Sequence, residues 1–120
     1  MSYIATIRIH ALPRLPNGWH GHWAVVAKER KQWHKWVGES LAFNIPAIPI
    51  EKCKVVCTRF SSVEPDYDNL TASFKPVIDG LKVNKVIKDD KSSCIVDRLY
   101  RWQKSQQRKG YIEVYIEELK

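Results

Sequence analysis

The sequence predicts an α+β fold in a single domain over residues 1–120: a mixed β-sheet with two helices packed on it, in the order β-α-β-α-β-β. Three observations predict it. Four short runs are rich in β-branched and aromatic residues and are bounded on at least one side by Pro, Gly or Ser. Two longer runs carry apolar residues at helical spacing, on one side only. Such a helix must bury its stripe against another layer, and the strands supply that layer. A chain of 120 residues is the size of one compact domain. It buries roughly two thirds of its unfolded surface, enough for one core without staples.

The first strand is "YIATIRIHAL", which alternates apolar and polar residues. "PRLPNGWHGH" follows as a loop punctuated by Pro13, Pro16, Gly18 and Gly21. Trp33, Trp36, Val37 and Leu41 then form the apolar stripe of a helix from about Ala24 to Phe43. Pro46 and Pro49 cannot continue it. "CKVVCTRF" is the second strand. A second helix begins near Asp68, a residue suited to capping, with Leu70, Phe74, Val77, Ile78 and Leu81 on its buried face. Pro76 falls inside this pattern and either kinks the helix or marks a later start. "LKVNKVIKDDKS" is a loop with a brief extended piece. "SCIVDRLYRWQK" and "YIEVYIEE" are the last two strands, and "SQQRKG" with Gly110 at its turn joins them as an expected antiparallel hairpin.

Charge is the unusual total: 20 Lys and Arg against 13 Asp and Glu, a net of +7. Such a surplus favours polyanionic partners. The three cysteines, Cys53, Cys57 and Cys94, are odd in number and contain no C-x-x-C pair. They are expected to be reduced thiols in a cytoplasmic protein. The opening residues have no long apolar run and carry Arg8, so neither a signal peptide nor a membrane partner is expected. Cys53-x₃-Cys57 and His20-x-His22 do not match structural zinc spacings. A Gly-rich phosphate loop and a dinucleotide fingerprint are both missing from the sequence, so no organic cofactor is expected.

Against this basic background, Asp66, Asp68, Asp89 and Asp90 surround one amphipathic segment. Asp66 and Asp68 lie two apart, a spacing that in extended chain sends both side chains to one side. Asp90 returns after a helix and a loop. Three hard oxygen donors brought together suit Mg²⁺ or Mn²⁺. Such an ion polarises a phosphate and lowers the pKa of a bound water. Lys75 and Asp79, four apart, stack on one helix face. Taken singly, these aspartates are more often ordinary caps and turns, and the Lys75–Asp79 pair an ordinary surface pair.

The combination "D-Y-D-N-L", "K-P-V-I-D-G-L" and "D-D-K" resembles the RusA family of Holliday junction resolvases. The resemblance spans Asp66 to Lys91. It implies a small homodimeric endonuclease that depends on Mg²⁺, with Mn²⁺ as substitute, and that introduces paired nicks in four-way DNA junctions. By matching positions, it implies Asp66, Asp68 and Asp90 as catalytic, metal-holding carboxylates and Lys75 as the catalytic-site lysine. Here "TASF" separates "DNL" from the lysine. In an unbroken helix this shifts Lys75 by about 5 Å along the axis at the same azimuth. Two matched cuts in a symmetric junction suit a two-fold dimer. The apolar edge of "YIEVYIEE" and a helix face are both candidate interfaces, and the sequence does not choose between them.

Two basic groups are candidate DNA contacts: Lys28, Arg30, Lys31 and Lys35 on the first helix, and Arg98, Arg101, Lys104, Arg108 and Lys109 on and beyond the third strand. Arg98 and Lys104 share strand parity, and Arg101 points the other way. Contacts of this kind read shape and charge more than sequence, which suits a branched substrate. A non-catalytic nucleic-acid-binding module with a basic surface is the alternative, and a protein-interaction domain whose basic surface meets an acidic partner is a third reading.

Overall fold

A computed structural model describes residues 2–16, 23–106 and 109–120. The chain runs β1 (Ile4–Ile9), α1 (Trp23–Leu41), β2 (Cys53–Ser61), α2 (Tyr67–Ser73), α3 (Lys75–Val83), β3 (Ile95–Lys104) and β4 (Tyr111–Glu118). The predicted α+β class and element order are those observed, with the second helix divided in two. The strands form one four-stranded mixed sheet in the order β1-β4-β2-β3. Among the described residues no helix is long and apolar enough to cross a membrane.

The strand order corrects one expectation. β3 and β4 do not form a hairpin, because β2 lies between them, parallel to β3 and antiparallel to β4. The physical reason is burial. β2 is buried on both faces along most of its length, while β3 exposes most of its residues. The most apolar strand therefore takes a central place and β3 becomes an edge. The connection from β3 to β4 needs to step over only two strand spacings, about 10 Å. β4 is also internal, paired with β1 on its other side. The edge of "YIEVYIEE" is thus used within the sheet and is not open to a second copy.

Register sorts the side chains. Ala5, Ile7, Ile9, Val55, Cys57, Ile112, Val114 and Ile116 face the helices and are buried. Opposite parity gives an open face that carries Ile4, Leu99 and Arg101. A register shift between Cys53 and Lys54 inserts one extra β3 residue at the start of the β2–β3 ladder.

α1 buries Trp33, Val37 and Leu41, with Trp36 half-buried against the core. It ends at Leu41, before either proline: Ala42 adopts φ 50° and its N–H donates to the Gly38 carbonyl at 3.1 Å. A left-handed residue just past the last turn ends a helix by itself. α1 packs on α3 closely, because a side chain at Gly80 would lie 3.1 Å from Val37. Asn84 Nδ2 fastens the pair by donating to the carbonyls of His34 and Gly80, each at 2.8 Å. Gly110 is a close-approach residue, not a left-handed turn: a Cβ there would meet the Phe60 carbonyl oxygen at 2.6 Å.

Candidate active site

The second helix breaks at Phe74, between α2 and α3, so that Pro76 falls in the first turn of α3. There its missing N–H and fixed φ cost nothing. The kink expected from Pro76 is present, two residues earlier than the proline. Phe74 is fully buried, 5.8 Å from the Tyr100 ring, and so fixes the joint against the sheet. α2 begins one residue before the expected Asp68. Its cap position is Asp66, whose side chain makes no capping hydrogen bond, and Asp68 lies in the first turn. Asp66 is thus the cap residue and Asp68 is helical, so the shared side expected of an extended segment does not follow. The helical-turn extrapolation to Lys75 also fails, because α2 and α3 are separate helices.

Lys75 opens α3 and Asp79 lies one turn on. Lys75 Nζ donates to Asp79 Oδ1 at 2.9 Å and to Asp90 Oδ2 at 3.1 Å. Asp90 comes from the loop between α3 and β3, 15 residues from Lys75. Its own N–H donates to Asp89 Oδ1 at 2.8 Å. The hydrogen bond from Lys75, then that involving Asp89, lowers the Asp90 carboxyl from 3.8 to about 2. The hydrogen bonds to Asp79 and then Asp90 raise the Lys75 pKa. At neutral pH the site therefore holds an ammonium between carboxylates, and Lys75 is a cation, not a proton acceptor. Asp89 also lies 3.3 Å from Lys82 Nζ and 4.0 Å from Lys91 Nζ.

Two neighbours frame the site. Arg98 Nη2 donates to the Asp90 backbone carbonyl at 2.7 Å, pinning the loop to β3. His34, on α1, has a buried Nε2 with no hydrogen-bond partner. Burial lowers its pKa, opposed in part by the charge of Asp79.

Of the residues expected from sequence, Lys75 and Asp90 are thus in contact. Asp66 and Asp68 are exposed at the start of α2. Among the described residues no three His, Cys, Asp or Glu side chains gather closely enough to hold a metal ion. The donors nevertheless fit Mg²⁺ in kind. Mg²⁺ is usually bound through one or two ionised carboxylates, with water and substrate phosphate completing the shell, and not in an all-protein cage.

The expected DNA contacts divide by environment. Lys28, Arg30, Lys31 and Lys35 are exposed on α1, and none has a carboxylate within 4.0 Å among the described residues. Arg98 and Lys104 pair with Val55 and Ser61, whereas Arg101 pairs with Thr58 on the open face, as strand parity predicts. Arg101 Nε donates to Thr58 Oγ1 at 2.9 Å. Lys109 is exposed, and Arg108 lies outside the described residues, as do His20 and His22.

One residue escaped the sequence reading. Arg59 sits in β2 on the helix-covered face and is 7% exposed. An Arg inside the apolar run "VVCTRF" was the available signal. No protein-family model matches the chain, and no curated protein does.

Proposed function

We propose that this protein is a metal-dependent, structure-selective DNA endonuclease of the RusA kind, resolving four-way junctions by paired nicks. The observation that carries the reading is the Lys75–Asp90 contact. It joins two separate motifs of the resemblance, 15 residues apart, beside a third carboxylate, Asp79.

On this reading one or two of Asp66, Asp68 and Asp90, with water and the substrate phosphate, would hold a divalent ion, which supplies Lewis-acid activation of a phosphodiester and of a bound water. The chain's own parts follow from its charges. Asp90 is ionised at neutral pH, and the hydrogen bond from Lys75 holds its carboxyl below the usual carboxylate range. Lys75, kept protonated, is placed to balance the extra negative charge on a phosphate under attack. The exposed cations of α1, with Arg101 and Lys104, give affinity for backbone phosphates without reading bases. The proposal includes a two-fold homodimer, since one site makes one cut. It also includes work inside the cell, where three buried free thiols stay reduced.

A second reading has its own support. Lys75 satisfies Asp90 as a cation would, so the contact also suits a non-catalytic DNA-binding module. A synthetic four-way junction separates the two. The proposal expects nicking by wild type only with Mg²⁺, no nicking by Asp68→Asn, and junction binding by both. Binding by both with no cleavage under any divalent metal supports the module and overturns the nuclease.

A further inference from the structure

Arg59 is a buried cation without a counter-charge. Its side chain leaves the central strand β2 toward the helices, opposite Ile112 of β4 and Trp102 of β3. Nη1 donates to the Pro13 carbonyl at 2.8 Å, and the buried Nε has no acceptor. No carboxylate lies within 4.0 Å of it among the described residues. The sequence closes the question of a hidden partner: none of the 13 Asp and Glu residues falls outside the described segments. A charge taken out of water and left without a counter-charge is costly, and an anion bound from outside would offset that cost.

The space for one is present. Arg59 lines a cavity of about 440 Å³ together with Arg14, Gln32, Trp33 and Trp36. Glu29 is also on its wall, but its carboxylate is engaged by Arg14 through contacts of 2.7, 3.2 and 3.3 Å. The wall therefore keeps a net positive charge. A guanidinium fork matches phosphate oxygens in spacing and charge. The indole and aliphatic walls suit a flat apolar group attached to that phosphate. A neighbouring cavity of about 300 Å³ shares Arg14, Glu29 and Trp33 and reaches Lys75.

We propose that this cavity is a binding site for the phosphate of a nucleotide unit, anchored by Arg59 and bordered by Arg14. The nucleotide belongs to a DNA strand or is free; the recognised chemistry is the same. The site does not depend on the cleavage reading, because it needs no metal and no bond is broken there.

The test is metal-free. Thermal melting is followed in chloride buffer of matched ionic strength, with inorganic phosphate, a deoxynucleoside monophosphate, a single-stranded oligonucleotide and a four-way junction as separate probes. Wild type is expected to melt higher with at least one probe than with matched chloride. Arg59→Met, chosen because an apolar replacement of a buried charge is usually tolerated, is expected to bind that probe about tenfold or more weakly. Two wall variants guard against a folding defect. Arg14→Ala removes a cation and releases Glu29, so it weakens binding. Glu29→Gln removes a negative charge and strengthens it, an opposite sign that a purely structural tie to Pro13 does not produce. A response to the DNA probes alone assigns the site to a strand, and a response to the small probes assigns it to a free nucleotide. No response to any probe, or equal responses in wild type and Arg59→Met, overturns the proposal.

Discussion

Lys75 and Asp90 meet with Nζ 3.1 Å from Oδ2, and this contact ties the first turn of α3 to the loop before β3. It sets a pH dependence with a definite sign. Asp90 is lowered from 3.8 to about 2 in the folded chain. Its contribution is therefore full above about pH 4 and lost as the pH falls through about 2. Lys75 is 64% exposed, so solvent screening holds the pair to about 1 kcal/mol. Asp90→Asn should lower stability by about that amount at pH 7, by much less at pH 2, and by nothing well below it. Urea melts of the two proteins across this range measure it.

Phe74 carries the joint between α2 and α3, buried completely against Tyr100. Phe74→Ala should cost about 3–5 kcal/mol, since the ring leaves a cavity that neighbouring helices cannot close. Chemical denaturation reads the loss. Phe74→Leu should cost less, because it keeps most of the packed volume.

Much of this framework was legible in the chain because burial and period coincide. Leu70, Phe74, Val77, Ile78 and Leu81 repeat at helical spacing, and all five are buried. Alternation in "IATIRI" gave β1 in the same way. Strand order was not legible. The short link before Tyr111 suggested a hairpin, but the preference of β2 for a place buried on both faces is a property of the whole sheet. Lys75 with Asp79 follows from a spacing of four. Its contact with Asp90 depends on where a loop folds back, which spacing does not encode. Arg59 was hidden for a similar reason: an Arg in a strand is usually turned to water, and only the register puts this one under the helices.

The thiols should be inert in the folded protein. Cys53, Cys57 and Cys94 are free and buried. Burial raises the Cys53 thiol from 9.0 to about 12 and raises Cys57 as well. Thiolate is the reactive form, so a disulfide reagent at pH 8 should label no cysteine within minutes in the native state and all three in denaturant. Fast native labelling would show that the strand core opens readily.

Arg101 lies on the open face of the sheet, apart from Arg98 and Lys104. As a phosphate contact, its change to Ala should weaken binding to every DNA sequence alike and flatten the salt slope by about one. Fluorescence anisotropy at several salt concentrations measures this. An unchanged slope assigns the DNA path to the helix-covered side, where α1 carries its exposed cations.

The central claim is that Asp90 helps hold a divalent ion on a DNA junction. Bound Mn²⁺, counted by electron paramagnetic resonance with the junction present, tests it most directly. The account predicts Mn²⁺ bound by wild type, displaced by Mg²⁺, and held about tenfold or more weakly by Asp90→Asn. Equal Mn²⁺ binding by the two proteins, or none by either, contradicts it.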